Sequence, residues 1–259
     1  MTGDATPPPP PELPPGLLEE YLRGMRAQLG DLAAIADRLV ANNGDREALE
    51  QLRRETHKVR GSAGSYGFWA ASRLAAGMEE TAKDWLARSD DQDVERGSLT
   101  RWFVVRLSEI LKLDVPTTQR VDRPSGPILQ ADLLNVPEVI LVEDDPALAE
   151  LLEYGLRSRG YRFASYRNGR EALNDLLALD TGESHPLLLL DVDLPALDGY
   201  SIFEALARER PGAYQVVFTT VHGDETEQLR GLEAGALDYL VKPISLRVAL
   251  EKIRRWVGR

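Results

Sequence analysis

The chain has 259 residues, of which 43% are hydrophobic and 28% charged, a composition typical of folded proteins with room for two modest domains. Its 31 basic and 42 acidic residues give a formal net charge of −11, so binding to nucleic acid through backbone phosphates is not expected. Cysteine is absent, which excludes disulfides, thiolate zinc sites and cysteine nucleophiles. The excess of arginine over lysine hints at a GC-rich bacterial genome.

The sequence contains no stretch that would cross a membrane. Its longest aliphatic run is Leu187–Leu190, far below the ~20 residues that a spanning helix needs. Five consecutive prolines stand near the N-terminus, where a signal peptide would need an apolar stretch. We therefore predict a cytoplasmic protein without membrane association.

The first part of the chain predicts a helical domain. Residues 1–16 contain seven prolines and are predicted to form a flexible tail. Residues 17–114 carry four amphipathic stripes, with apolar residues at three- and four-residue steps and no strand pattern. This pattern predicts an all-α four-helix bundle. The predicted helices run from Leu17 to about Asn42, from an N-cap at Asp45 to Ala63, from Trp69 to Arg88 and from an N-cap at Ser98 to Leu111.

The second part predicts an α/β domain. Residues 115–137 hold four prolines and no sustained period, and are predicted to be a linker. Residues 138–259 alternate short apolar runs with helical stretches, which predicts a doubly wound, flavodoxin-like fold with a five-stranded parallel sheet. The predicted strands are 139–142, 162–166, 187–190, 216–220 and 238–241, and the predicted helices lie near 146–158, 169–179, 199–209, 225–233 and 245–257.

Polar side chains follow four of the five predicted strands at their carboxyl ends, where the crevice of a parallel sheet lies. Carboxylates that converge there repel one another, and a divalent cation that prefers oxygen ligands, such as Mg²⁺, would neutralise them. Phosphoryl transfer needs an acceptor oxygen beside such a metal, with a cation and a hydroxyl nearby. The residues at these ends are Glu143, Asp144, Asp191, Asp193, Thr220 and Lys242.

Residues 138–259 resemble the receiver domain of bacterial two-component response regulators. The matching motifs are VILVEDDPALAELL, LLLLDVDLPALDGY, VVFTT and DYLVKPI. The resemblance implies that Asp191 is the phosphoaccepting residue and that it forms a magnesium pocket with Glu143 and Asp144. The backbone carbonyl of Asp193 is implied as a further metal ligand.

The same resemblance implies a switch that responds to the phosphoryl group. Thr220 and Lys242 would contact that group, and Tyr239 would be the aromatic residue whose rotamer follows the change. Two positions depart from the usual pattern. Val221 replaces a small residue and would crowd the mouth of the phosphate site, and Thr219 replaces a common leucine beside the switch surface.

His57 differs from the other two histidines, His185 and His222, which are predicted to be exposed bystanders. It lies beside the apolar stripe of the second helix, with its ring toward solvent and Gly61 one turn later. Glycine in a helix costs about 1 kcal/mol relative to alanine, and room for a partner would justify that cost. Basic residues surround the ring and would suit a dianionic phosphoryl group. They are Arg53, Arg54, Lys58 and Arg60.

The stretch HKVRGSAGSYG resembles the core motif of histidine-containing phosphotransfer (HPt) domains, over roughly residues 17–113. These domains are four-helix bundles. The resemblance implies that His57 is the phosphoaccepting histidine. We expect Lys58, Arg60 and Gly61 to lie on the surface where a partner docks.

Together the two resemblances imply a phosphorelay protein that is a regulator and not an enzyme. Its expected partners are sensor histidine kinases or other receivers, and a receiver homodimer is a further expectation. Three alternatives stay open. In the first, Asp191 and Asp193 are the DxD pair of a haloacid-dehalogenase-like phosphatase. In the second, the receiver is an inactive docking scaffold. In the third, the chain continues beyond Arg259 into an output domain such as a nucleotide cyclase or a DNA-binding module.

Overall fold

The computed structural model describes residues 13–87, 95–114, 136–221, 229 and 231–258. These residues form two compact units, a helical one and an α/β one. Among them, no helix combines the length and the apolar character needed to cross a lipid bilayer. The proline-rich tail through residue 12, most of the predicted linker and His222 lie outside the described residues.

The helical unit consists of four α-helices, as the sequence predicts. The Asp45 side chain accepts a hydrogen bond from the Ala48 amide, which confirms it as the N-cap of the second helix. Leucines of the first two helices and aromatic residues of the last two fill the core between them. The helices are α1 (Leu17–Ala41), α2 (Arg46–Ala63), α3 (Trp69–Ala87) and α4 (Arg96–Leu111), with a 3₁₀ turn at Gly64–Tyr66 between α2 and α3.

Helix α4 begins at Arg96, so the prediction that Ser98 is its N-cap is wrong. Glu95 occupies the N-cap position, and its carbonyl accepts a hydrogen bond from the Leu99 amide at 3.0 Å. The Ser98 hydroxyl donates to the Glu95 side chain at 2.7 Å. Ser98 therefore lies inside the first turn.

The α/β unit is built on a five-stranded sheet in which every strand pairs in parallel with its neighbours. The strands are β1 (Val139–Val142), β2 (Phe163–Tyr166), β3 (Leu187–Asp191), β4 (Gln215–Thr220) and β5 (Asp238–Val241). The helices are α5 (Pro146–Ser158), α6 (Gly169–Ala178), α7 (Gly199–Glu209) and α8 (Leu246–Val257). The predicted helix near 225–233 lies mostly outside the described residues.

The strand order β2-β1-β3-β4-β5 is that of flavodoxin-like doubly wound folds. The order reverses between β1 and β3, and ligands of such folds bind in the crevice outside the carboxyl ends of these strands. Both strands are buried along their whole length. The sheet therefore presents the residues that follow β1 and β3 side by side at one edge.

The loop from β3 to α7 folds back tightly on the end of β3. The Gly199 amide donates to the Val192 carbonyl at 3.0 Å, and a Cβ atom at Gly199 would overlap the Asp191 carbonyl oxygen. Ala196 in the same loop has a left-handed backbone, with φ of 67°. Glycine at position 199 is thus required by close packing against the end of β3.

Candidate functional site

Three carboxylates lie together at the carboxyl edge of the sheet. Glu143, Asp144 and Asp191 each place an oxygen within 4.8 Å of the others. Glu143 and Asp191 are buried, and Asp144 lies at the rim that faces solvent. We call these three residues the acidic cluster. It assembles because β1 and β3 are neighbours in the sheet.

Lys242, which follows β5, reaches into the acidic cluster. Its Nζ atom lies 2.9 Å from the Glu143 carboxylate and 2.8 Å from Oδ2 of Asp191. Its backbone amide donates to the Thr220 carbonyl at 2.7 Å, which ties the end of β5 to the end of β4. The structure thus brings together four of the side chains that the sequence selects, with Thr220 buried beside them.

The acidic cluster is short of positive charge. Burial raises the pKa of Glu143 to about 8, although the Lys242 charge opposes the shift. Loss of hydration and the charge of Asp191 also raise the pKa of Asp144. Burial disfavours the charge on Lys242, but its carboxylate neighbours outweigh this effect and raise its pKa. Three carboxylates against one ammonium therefore leave the cluster with a proton or a further cation to accommodate.

The donor set of the acidic cluster fits Mg²⁺. All the side-chain donors are carboxylate oxygens, which Mg²⁺ prefers, and the excess negative charge is that of a divalent cation site. Glu143, Asp144 and Asp191 are the residues that would hold the ion. The Asp193 amide donates to Oδ1 of Asp191 at 3.2 Å, and the Asp193 side chain is exposed. The Asp193 carboxylate is not one of the three carboxylates of the acidic cluster, so its main-chain carbonyl remains the ligand that we expect from this residue.

The predicted switch aromatic, Tyr239, points inward. It is buried beside Phe218, with ring centroids 5.2 Å apart, and its hydroxyl lies 3.4 Å from the Tyr200 hydroxyl. A Cβ atom at Gly231 would overlap the Tyr239 hydroxyl. Val221 is 57% exposed, so solvent surrounds much of the residue that the sequence places at the mouth of the phosphate site.

In the helical unit, His57 lies on α2 with its ring in solvent, as predicted. Its side chain is 69% exposed, and Nδ1 is 3.1 Å from Oε1 of Glu79 on α3. A Cβ atom at Gly61 would meet no atom within 4 Å, so the helix surface beside the ring is open. The other described histidine, His185, donates from Nδ1 to the Gly212 carbonyl in the α/β unit, at 2.8 Å.

Sequence reasoning missed Glu79. Its side chain is only 3% exposed, and it binds two cations besides the histidine ring. Nη1 of Arg60 lies 3.1 Å from Oε2, and Nζ of Lys83 lies 3.0 Å from Oε1. The sequence offered only one signal, a glutamate next to the buried Met78 in the apolar stripe of α3.

Most of the basic residues around His57 are paired with carboxylates. Lys83, which also reaches Glu80 at 2.8 Å, adds a further paired cation. Three of the four basic residues that the sequence selects are paired with carboxylates of the same domain. The pairs are Arg53 with Glu50 at 3.3 Å, Lys58 with Glu55 at 2.6 Å and Arg60 with Glu79 at 3.1 Å.

Comparison with known families agrees with both units. Residues 16–113 match the Hpt domain, and residues 139–254 match the response regulator receiver domain. These are modules of two-component phosphorelay signalling. The chain is a fusion of an Hpt domain and a receiver domain.

Individual relatives match the receiver part. The chain is 36% identical over 121 residues to the transcriptional regulatory protein PcoR of Escherichia coli, covering 47% of this chain and 51% of PcoR. It is 35% identical over 125 residues to the transcriptional regulatory protein AfsQ1 of Streptomyces coelicolor, covering 48% and 52%. The chain thus spans about half the length of these curated relatives.

Solved structures of receiver domains also resemble this part. One is the receiver domain of a sensor histidine kinase from Pseudomonas aeruginosa PAO1, solved with a magnesium ion coordinated in its active site cleft. It is 29% identical, with a TM-score of 0.41, and the alignment covers 48% of this chain and 100% of that one.

Proposed function

We propose that this chain relays phosphoryl groups between histidine and aspartate residues. Asp191 accepts a phosphoryl group in a Mg²⁺-dependent reaction, and His57 exchanges one with receiver domains. The observation that carries the proposal is the acidic cluster, in which the buried Asp191 lies 2.8 Å from Lys242 at the carboxyl edge of the sheet.

At Asp191, a carboxylate oxygen attacks the phosphorus atom of a phosphohistidine or an acyl phosphate. The bond from phosphorus to the leaving nitrogen or oxygen breaks, and an aspartyl phosphate forms. Lys242 and the Thr220 hydroxyl would hold the oxygens of the new group. Bound Mg²⁺ would supply the positive charge that offsets those oxygens. Glu143, Asp144 and the Asp193 carbonyl are the proposed ligands beside Asp191.

At His57, the exposed ring nitrogen attacks the phosphorus of an aspartyl phosphate, and the aspartate leaves as a carboxylate. The exposure of the ring and the open surface at Gly61 support this role, because a receiver must bring its buried aspartate close to the ring. Lys58, Arg60 and Gly61 are the proposed docking residues. Arg60 would act there while it is bound to Glu79.

The test for Asp191 is phosphorylation of the full chain by acetyl phosphate. Labelling should require Mg²⁺, and Asp191→Asn should abolish it. Asp180→Asn is a matched control, because Asp180 lies in the loop that leads into the amino end of β3, at the opposite edge of the sheet. Labelling that survives both Asp191→Asn and chelation of the metal would exclude the assignment.

The test for His57 uses the Asp191→Asn chain as acceptor, so that label on the protein reports the helical domain. A panel of phosphorylated response regulators should transfer label that is stable in base and lost in acid. His57→Gln should abolish the transfer, and His185→Gln should not. Unchanged transfer to His57→Gln across the panel would contradict the role.

The DxD phosphatase alternative has little support. Such an enzyme would need the Asp193 carboxylate beside Asp191, whereas the two carboxylates that the structure groups with Asp191 are those of Glu143 and Asp144. The inactive-scaffold alternative predicts no label at Asp191, so the acetyl phosphate experiment decides it. Histidine kinases and other receivers are the proposed partners, and the cytoplasm is the proposed location. A receiver homodimer stays a prediction.

A further inference from the structure

Thr219 carries a buried hydroxyl that the proposed reaction at Asp191 does not use. The residue is fully enclosed, with 0% of its surface exposed. Among the residues that the structure describes, none forms a hydrogen bond with its Oγ1 atom. A hydroxyl in this situation has given up its hydrogen bonds to water and gained none in return, which destabilises the fold. An apolar side chain of the same shape would avoid that cost, so the hydroxyl needs an explanation.

The pairing of the strands places Thr219 next to Asp191. The two residues are register partners on β4 and β3. Neighbouring strands lie about 4.8 Å apart, and side chains alternate between the two faces of a sheet. The preceding pair, Phe218 and Leu190, packs into the core on one face. Thr219 therefore lies on the other face, together with Asp191.

The side chain of Lys242 crosses the strand that carries Thr219. Lys242 follows β5, and β4 lies between β5 and β3 in the sheet. Its Nζ atom nevertheless contacts Asp191 on β3 at 2.8 Å and Glu143, just after β1, at 2.9 Å. An ammonium group has three N–H donors. Within the described part of the chain, Nζ donates to these two carboxylates, which leaves it one further donor.

We propose that Thr219 is a positioning residue for Lys242: its hydroxyl accepts a hydrogen bond from Nζ when a divalent cation binds to the acidic cluster. Glu143 oxygens that face such a cation are no longer available to Nζ, and the two positive charges repel each other. Lys242 then loses one of its acceptors, and its flexible stem lets Nζ turn to Oγ1 on the strand that it crosses. The contact with Thr219 keeps Nζ beside Asp191. The inference rests on the proposed function of Asp191 and adds the residue that holds its cation in place.

The proposal gives the hydroxyl opposite effects on the two states of the receiver. Thr219→Val keeps the shape of the side chain and removes the hydroxyl. Without the cation, this change removes an unpartnered polar group and should make the receiver more stable. With the cation bound, the same change removes an acceptor of Lys242 and should weaken Mg²⁺ binding. A hydroxyl without a partner in both states would leave the Mg²⁺ affinity unchanged.

The first experiment measures the Mg²⁺ affinity of the full chain by calorimetry. Hydrogen bonds to charged groups contribute enough that Thr219→Val should weaken binding by about 10–100-fold. Thr219→Ser keeps the hydroxyl and should bind Mg²⁺ as the wild type does. Thr181→Val is the matched control, because Thr181 is also buried, at 5% exposure, but lies in the loop before β3 at the opposite edge of the sheet. Its Mg²⁺ affinity should equal that of the wild type.

The second experiment measures urea unfolding without Mg²⁺, in the transition that Mg²⁺ shifts in the wild-type chain. Thr219→Val should unfold at a higher urea concentration than the wild type. Thr219→Ser should unfold at a lower one, because it loses a buried methyl group. Stability and Mg²⁺ affinity should thus change in opposite directions in the valine variant, and only stability should change in the serine variant. A valine variant less stable than the wild type would overturn the proposal, since the hydroxyl would then already have a partner.

Labelling by acetyl phosphate separates this proposal from the proposed function. Thr219→Val should be labelled more slowly than the wild type even at saturating Mg²⁺, and Thr219→Ser should be labelled normally. Label on wild-type Asp191 together with wild-type Mg²⁺ affinity in Thr219→Val would refute the role of Thr219 alone. A wild-type chain that binds Mg²⁺ more tightly than Thr219→Val but takes up no label would refute the proposed function and leave the contact with Lys242 intact.

Discussion

The two candidate phosphoryl acceptors have opposite surroundings. The His57 side chain is 69% exposed and contacts Glu79 behind it, whereas Asp191 is buried among two further carboxylates and Lys242. Asp191 therefore has a cation of its own domain beside it, whereas the described partner of the His57 ring is a carboxylate. We expect the receiver to react with small phosphodonors by itself, and the Hpt domain to need the reaction centre that a partner brings.

Removing Lys242 should produce the largest effect. Lys242→Met leaves the buried Glu143 and Asp191 without their cation, and breaking a buried ion pair in this way costs about 3 kcal/mol or more. The loss in the free energy of unfolding should be smaller near neutral pH than in alkaline solution, because Glu143 can take up a proton near neutral pH. Thermal and urea unfolding measure this loss of stability, and the transition of the receiver is identified as the one that Mg²⁺ shifts. Adding Mg²⁺ should restore part of the lost stability.

Lys252→Met is the control for that variant. Lys252 pairs with Asp238 at 3.0 Å, but both side chains are more than one-third exposed. Exposed pairs contribute about 1 kcal/mol or less. Equal losses for the two variants would mean that the Lys242 contacts do not hold the acidic cluster together.

Gly199→Ala should be the next largest change. The added Cβ would overlap the Asp191 carbonyl oxygen, so the main chain at the end of β3 must move. Overpacking of this kind costs about 1–3 kcal/mol. Unfolding measurements should show that loss, and calorimetry should show weaker Mg²⁺ binding. Wild-type Mg²⁺ affinity in Gly199→Ala would mean that the loop adjusts without disturbing Asp191.

Mg²⁺ binding to the full chain should strengthen as pH rises through about 8. The folded-state pKa of Glu143 is about 8, above its ordinary value, so Mg²⁺ must displace a proton below that pH. Because the pKa of Glu143 is raised in the folded state, protonated Glu143 stabilises the metal-free receiver. This contribution to the free energy of unfolding is lost as pH rises through about 8. Calorimetric titration in buffers of different ionisation enthalpy measures the released proton. If the Mg²⁺ affinity of the wild-type chain does not change with pH and equals that of Glu143→Gln, then Glu143 is not the residue that releases a proton on metal binding.

The smallest effect on stability should come from Gly61, the glycine beside the other acceptor. Gly61→Ala meets open space and should stabilise the bundle by up to about 1 kcal/mol. Gly61→Leu should keep the fold but slow transfer to His57, because a displacement of about 1 Å can cost on the order of 100-fold. Melting curves and transfer rates on the same proteins separate the two effects. Normal transfer by Gly61→Leu would place the path of the partner elsewhere.

The receiver cleft was predictable because strand ends alone determine it. Parallel strands bring their carboxyl ends to one edge, so Glu143, Asp191 and Lys242 converge whatever the details of the covering helices. The charge pairing of Arg53 and Lys58 was also readable, since a glutamate stands three residues before each of them.

Glu79 could not be found in the same way. Its contact with His57 depends on how α2 and α3 are rotated about their axes, and no local pattern encodes that rotation. Ser98 failed for a related reason. A serine before an apolar run is typical of an N-cap, but here its hydroxyl bonds Glu95 and the helix has already begun.

The charge pairing around His57 has a consequence for how fast a partner arrives. Three of its four basic neighbours are matched by carboxylates, and residues 1–114 carry 15 basic and 19 acidic residues in all. Fast association depends on long-range attraction between opposite charges, and it slows steeply when salt is added. A receiver should therefore meet this surface at the pace of unsteered diffusion, with an encounter rate that changes little between dilute buffer and physiological ionic strength.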